Sequence, residues 1–208
     1  MANELTKKQR EKILQEIGRL VVLFEAINSS MRTSIRFLVF PNRSNEDFSI
    51  SHILEDGIST KGLKLRLKGV FKERFPNDLK SLELLELLLK KYEDLVSIRN
   101  TLIHSTASFV VPPEGAEEKM SFDFIQLRSK RLTEKGVKST FHEIDLQSLE
   151  TFNNNVSQLR RAFGFVTVLC EESDFKREVL EEHLTKDYVE SIKIELPSKN
   201  SPLWRMRK

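Results

Sequence analysis

Ile13, Ile17, Leu20, Phe24, Ile27, Met31, Ile35 and Leu38 recur at intervals of three and four residues, a period that an α-helix turns into one apolar stripe. The same spacing returns in Leu82, Leu85, Leu89, Tyr92 and Val96, and again in Leu149, Phe152, Val156, Leu159, Phe163, Val166 and Cys170. Helices striped in this way must bury their apolar faces against one another. The spacing therefore predicts a mainly α fold, an antiparallel up-and-down bundle. Composition agrees: 208 residues with 39% apolar side chains suffice for one closed core, and 7 Gly and 6 Pro are too few for a turn-rich all-β chain.

Local signals set the expected boundaries. Thr6 and Gln9 suit a capping box for the first helix, and Pro41 ends it. Residues 42–60 are polar and without period, as a long loop would be. A second helix fits Lys61 to Phe75, with Leu63, Leu67, Val70 and Phe71 inward, Lys64, Lys68 and Lys72 outward, and Pro76 as its stop. Asn77 or Asp78 caps the third helix, which continues towards Ile103. Between about 107 and 145 the chain turns to Phe, Val, Ile and Thr with turn chemistry at Thr133 to Gly136, predicting a β-hairpin or small sheet inserted between helices 3 and 4. Asp145 caps the fourth helix. A weaker acidic helix is expected from Ser173 to about Ile192. Residues 1–192 then form a single domain, and 193–208 a mobile basic tail.

The only cysteine, Cys170, can form neither an internal disulfide nor a zinc knuckle. No run approaches the roughly 20 apolar residues that a bilayer span needs, and the N-terminus has no apolar signal core. A cytoplasmic protein without membrane contact is expected. The net charge of +3 says little, but its distribution is uneven. Residues 61–74 hold six basic side chains against Glu73, and residues 128–138 hold five against Glu134. Each segment could follow a phosphate backbone or be a solvated face.

Gly-rich phosphate loops, His-Glu-x-x-His and Gly-x-Ser-x-Gly are all missing. The four histidines, His52, His104, His142 and His183, lie too far apart to share a helix face, so no metal and no cofactor are expected. The exception to this plainness is Ser97-Ile98-Arg99-Asn100-Thr101-Leu102-Ile103-His104-Ser105. Arg99 falls where the third stripe calls for an apolar residue, so its guanidinium must be paired or reach a solvent-filled cleft. At about 100° per residue, Asn100 and His104 lie about 40° apart and Arg99 about 100° from Asn100, within the sweep of its side chain. The three can converge on a site the size of a phosphate.

Arg99-Asn100 followed by three residues and His104, late in a long helix of a bundle, resembles the R-x(4–6)-H motif of HEPN domains. The layout from roughly Leu5 to Cys170 is similar to HEPN proteins of bacterial abortive-infection and toxin systems. The resemblance implies a homodimer with a composite active site, in which RNA is cleaved without a metal by attack of its own 2′-hydroxyl on the phosphate. It implies Arg99 as the phosphate ligand, His104 as the proton-transfer group and Asn100 as their support, chemistry that suits a group titrating near neutrality and a bidentate cation. Arg128, Lys130 and Arg131 of the hairpin are the expected contacts to the RNA backbone. Glu25, Arg32 and Arg36 are candidates for a further polar residue that some HEPN proteins carry on an earlier helix. An antitoxin or regulatory protein would be the partner, but Thr106 stands where nucleotidyltransferase-paired members have a modified tyrosine, so that pairing is not expected.

The alternatives are plainer. Arg99 and His104 could close the C-terminal end of a helix, which favours cations. The chain could also be a non-catalytic HEPN-type module that binds RNA or protein and assembles with a partner.

Overall fold

The computed structural model describes residues 2–40, 57–104, 106–108, 124–133, 136–171 and 182–195. The described chain is mainly helical: α1 (Ala2–Val39), α2 (Thr60–Arg74), α3 (Leu79–His104), α4 (Leu146–Cys170) and the short α5 (Lys186–Ser191). Strands β1 (Thr106–Ser108), β2 (Phe124–Thr133) and β3 (Gly136–Asp145) lie between α3 and α4 in sequence and pair antiparallel in the order β1-β2-β3. In register, Thr106 is opposite Arg128, Phe124 is opposite Asp145 and Thr133 is opposite Gly136. Among the described residues no helix is long and apolar enough to cross a membrane.

The stripes on α1 and α4 fall where their spacing predicts, except that Ile17 is only half-buried. Ile13, Leu20, Phe24, Ile27, Met31, Ile35 and Leu38 are buried, and so is every member of the α4 series from Leu149 to Cys170. Full burial of one such aliphatic or aromatic side chain stabilises by about 1.5–3 kcal/mol, which is why the pattern outweighs any local preference. In α3 the expected Leu85, Leu89 and Tyr92 are buried, but the buried face is broader and its ends differ. Leu88 and Leu95 are fully buried, whereas Leu82 and Val96 are only half-buried.

Capping explains most helix starts. Asp78 Oδ1 accepts from the Ser81 N–H at 3.0 Å, and Asp145 accepts from the Ser148 N–H at 2.7 Å. The α2 helix is capped by Ser59, whose hydroxyl accepts from the Gly62 N–H, just after Gly57 turns the chain at a φ of 73°. The first helix begins at Ala2, before the expected box at Thr6, since Ala, Glu and Leu in the opening residues all favour helix. It ends at Val39, before Pro41 disfavours a helical Phe40. The acidic helix expected to run to Ile192 is interrupted at Leu184 and Thr185: Leu184 is buried, and Thr185 caps α5 by accepting from the Tyr188 N–H. The expected loop at 42–56, the hairpin turn at 134–135, residues 173–181 and the tail from 196 onward lie outside the described residues.

The chain divides into two compact units. The first comprises Met1–Val21, Ser97–Asn154 and Glu195–Lys208. Inside it, α1 and α4 meet through Asn153, fully buried, whose Nδ2 donates to Glu16 O at 2.8 Å and to Glu16 Oε2 at 2.7 Å. Arg19 reaches the same pair of helices, donating to Asn154 Oδ1 at 3.1 Å.

The second unit comprises Val22–Val96 and Asn155–Ile194. Its centre is Tyr92, stacked on Phe24 at a centroid distance of 5.7 Å and edge-on to Phe163 at 6.1 Å. Such ring pairs add about 0.5–1.5 kcal/mol beyond the area they bury. Ion pairs Lys64–Glu93 and Lys68–Glu86 join α2 to α3 in antiparallel sense. The Lys91 ammonium donates to the carbonyls of Glu190 and Ile192, closing the end of α5. Glycine occurs twice in α2 for different reasons. A Cβ on Gly62 would meet Ile58 Cγ2 at 2.9 Å, whereas a Cβ on Gly69 would meet nothing within 4 Å. An interior helical glycine costs roughly 1 kcal/mol against alanine, and at Gly69 the packing of the described residues does not require it.

Candidate functional site: the end of the third long helix

The motif residues occupy the last six positions of α3, all within the first unit. Along the end of α3, Leu95 of the second unit and Ile98 and Leu102 of the first are buried. Arg99 stands four residues after Leu95 and three before Leu102, so it continues the buried line, and it is half-buried. A guanidinium so placed keeps its stem among apolar neighbours while its head seeks polar partners. One of those is adjacent: Arg99 Nη1 donates to Asn100 Oδ1 at 3.1 Å.

That bond has a directional consequence. Asn100 is exposed and about 100° around the helix from Arg99, so the guanidinium is swung off the buried line towards the side on which Asn100 lies. His104 is the final residue of α3, one helical turn and about 6 Å beyond Asn100 on nearly the same side. With its Oδ1 accepting from Arg99, the carboxamide of Asn100 still has the two N–H groups of Nδ2 to offer. The arrangement presents N–H donors from two adjacent residues and suits an anion better than a cation. Thr101 is turned about 100° from Asn100 in the sense away from Arg99, and its hydroxyl donates to Ser97 O at 3.1 Å.

The expected RNA-backbone contacts lie on β2. Arg128 is opposite both Thr106 and Phe141, Lys130 is opposite Ser139, and Arg131 is opposite Lys138. Since a strand alternates with a period of two, Arg128 and Lys130 belong to one face and Arg131 to the other. Pairing with β1 brings Arg128 to a register position two residues beyond His104. Of the earlier-helix candidates, Glu25 is exposed and accepts from Asn28 Nδ2 at 3.2 Å, while Arg32 and Arg36 are half-buried; all three belong to the second unit.

The spacing argument passed over the buried polar residues Asn28 and Asn153. Each could have been found by the signal that singled out Arg99, a polar side chain at a stripe position. Asn28 is four residues after Phe24, and Asn153 is four after Leu149 and three before Val156. Among the described residues no group of three His, Cys, Asp or Glu side chains could hold a metal ion. Compared with family models, curated proteins and solved structures, the chain matches none of them.

Proposed function

We propose that the chain is a metal-independent endoribonuclease of HEPN type, built on a HEPN-like helical bundle with an inserted hairpin and acting as a homodimer in a toxin or phage-defence setting. The observation that carries this reading is the Arg99–Asn100 hydrogen bond, which gathers cationic and amide N–H donors at the end of α3 that also holds His104. Arg99 binds the scissile phosphate and offsets charge as it develops. A His104 imidazole accepts the proton of the 2′-hydroxyl as its oxygen bonds to phosphorus. The bond from phosphorus to the 5′ oxygen breaks, and an imidazolium delivers a proton to that leaving oxygen. A two-fold dimer supplies both histidines. The products are a 2′,3′-cyclic phosphate and a 5′-hydroxyl. Arg128, Lys130 and Arg131 contact the flanking backbone, and DNA, which lacks the 2′-hydroxyl, is not cut.

The test is cleavage of a mixed RNA pool in EDTA by the wild type, His104→Ala and Arg99→Ala, with folding of each followed by circular dichroism. Cyclic-phosphate ends that form with the wild type and vanish with both folded variants support the nuclease. A well-folded wild type that cuts no RNA overturns it and leaves a HEPN-type binding or assembly module.

A further inference from the structure

The second unit carries a basic surface that the motif does not use. Leu63, Leu67 and Phe71 bury one side of α2. On the opposite side Lys61, Leu65, Lys68 and Lys72 follow one another at spacings of four, three and four, all exposed. At about 100° per residue they fall within a strip roughly 60° wide, and at 1.5 Å rise it extends about 16 Å. Glu73, the only acid in α2, is turned about 100° from Lys72.

Two details separate this strip from an ordinary solvated face. Leu65 is 56% exposed in the middle of the lysines, so the strip pairs cations with one apolar side chain within about two helical turns. Gly69 adjoins Leu65 and Lys72 on the same side, is exposed, and has open space where a Cβ would stand. A helix that gives up stability at a position its own packing leaves free allows another backbone to come close there. Lysines at the edges, one apolar side chain and one bare stretch of helix backbone match a sugar–phosphate strand: phosphates for Lys61, Lys68 and Lys72, a ribose or base face for Leu65, and close approach at Gly69. Lys68 is shared with Glu86 at 2.7 Å, an exposed pair that exchanges readily for a phosphate.

We infer that this strip of α2 is a docking track for a single RNA strand, separate from the site on α3. The inference rests on the RNA reading proposed above. It is tested with the full chain, a fluorescent 2′-O-methyl RNA 20-mer and anisotropy in EDTA over a range of salt. That strand has no 2′-hydroxyl to attack, so binding is measured apart from cleavage. Lys61→Glu with Lys72→Glu should weaken binding about tenfold or more and make the salt dependence shallower by about 1.4, two phosphates at about 0.7 each. Gly69→Ala should raise the melting temperature and yet weaken binding several-fold.

Binding by both variants equal to that of the wild type overturns the track, as does a wild type that binds phosphatidylserine vesicles and not RNA. The two proposals fail separately. Cleavage of ordinary RNA with no dependence on α2 removes the track and keeps the nuclease, whereas α2-dependent binding without cleavage keeps the track and removes the nuclease.

Discussion

Tyr92 on α3 donates its hydroxyl to Oδ1 of Asn28 on α1, and both side chains are buried. The Asn28 amide in turn donates to Glu25 Oε2 at 3.2 Å, so the polar end of the tyrosine is tied through asparagine to an exposed carboxylate. The ring itself packs against Phe24 and Phe163. Apolar packing alone would let α3 slide or rotate against α1 in its leucine-rich portion. A buried polar pair allows one setting, because any other strands two polar groups without water.

Tyr92→Phe tests this directly. The ring contacts are retained and only the donor is lost, leaving Asn28 Oδ1 as a buried acceptor at a cost of about 1–3 kcal/mol. Urea unfolding should show that loss as a lower midpoint with unchanged slope. Adding Asn28→Leu should recover part of it, since the double variant has no stranded acceptor. Equal stability of Tyr92→Phe and wild type would mean that the hydroxyl contributes nothing.

The start of α4 depends on Asp145 in two ways. One carboxylate oxygen accepts from the Ser148 N–H at 2.7 Å and the other from the Ser148 hydroxyl at 2.9 Å. Its charge also sits at the positive end of a 25-residue helix. Asp145→Ala should therefore cost about 1–2 kcal/mol, and Asp145→Asn less, because the amide oxygen can still cap. Chemical denaturation of both variants decides it. An alanine variant within about 0.3 kcal/mol of wild type would show that another group satisfies the helix end.

The degree to which the sequence was legible follows from how sharply its polar and apolar residues alternate. In α1 and α4 the three-and-four spacing runs through the whole helix and favours one phase, and the buried set follows it apart from Ile17. In α3 the run Leu82, Leu84, Leu85, Leu87, Leu88 and Leu89 fits several phases, and only partners on other helices select Leu88 and Leu95 for full burial. The stripe positions of Asn28 and Asn153 were legible, but their partners were not. Their hydrogen bonds to Tyr92 and Glu16 join residues 64 and 137 positions apart, and no local pattern carries that information. The Arg99 anomaly was legible because it breaks a stripe, and one of its hydrogen-bond partners is its sequence neighbour.

Lys186 is exposed, and its ammonium is held above the ordinary lysine value of 10.5, first by its hydrogen bond to Glu83 and then by the charge of that carboxylate. A raised folded-state pKa means that the pair favours the folded chain at pH values below 10.5 and that this contribution is lost as pH rises through the raised value. Glu83→Gln should lower the Lys186 pKa towards 10.5 in an NMR titration of its side chain. The difference in melting temperature between wild type and Glu83→Gln should be small at neutral pH and vanish above the raised pKa. A difference that persists there would have to come from packing of the Glu83 side chain, not from the ion pair.

The proposed site can be dissected at the bond that defines it. Asn100 is exposed, so Asn100→Ala should change stability by no more than about 0.5 kcal/mol. It removes the 3.1 Å hydrogen bond from the Arg99 guanidinium, and a less firmly aimed phosphate ligand should lower single-turnover RNA cleavage by about tenfold. Arg99→Lys keeps the charge and gives up the planar fork, so its loss should be larger, about 100-fold, and should appear in the cleavage step more than in RNA binding. Activity of Arg99→Lys and Asn100→Ala should stay insensitive to EDTA. If Asn100→Ala instead melts much earlier than wild type and cleaves RNA at the same rate, the Arg99–Asn100 bond belongs to the closure of α3 and not to catalysis.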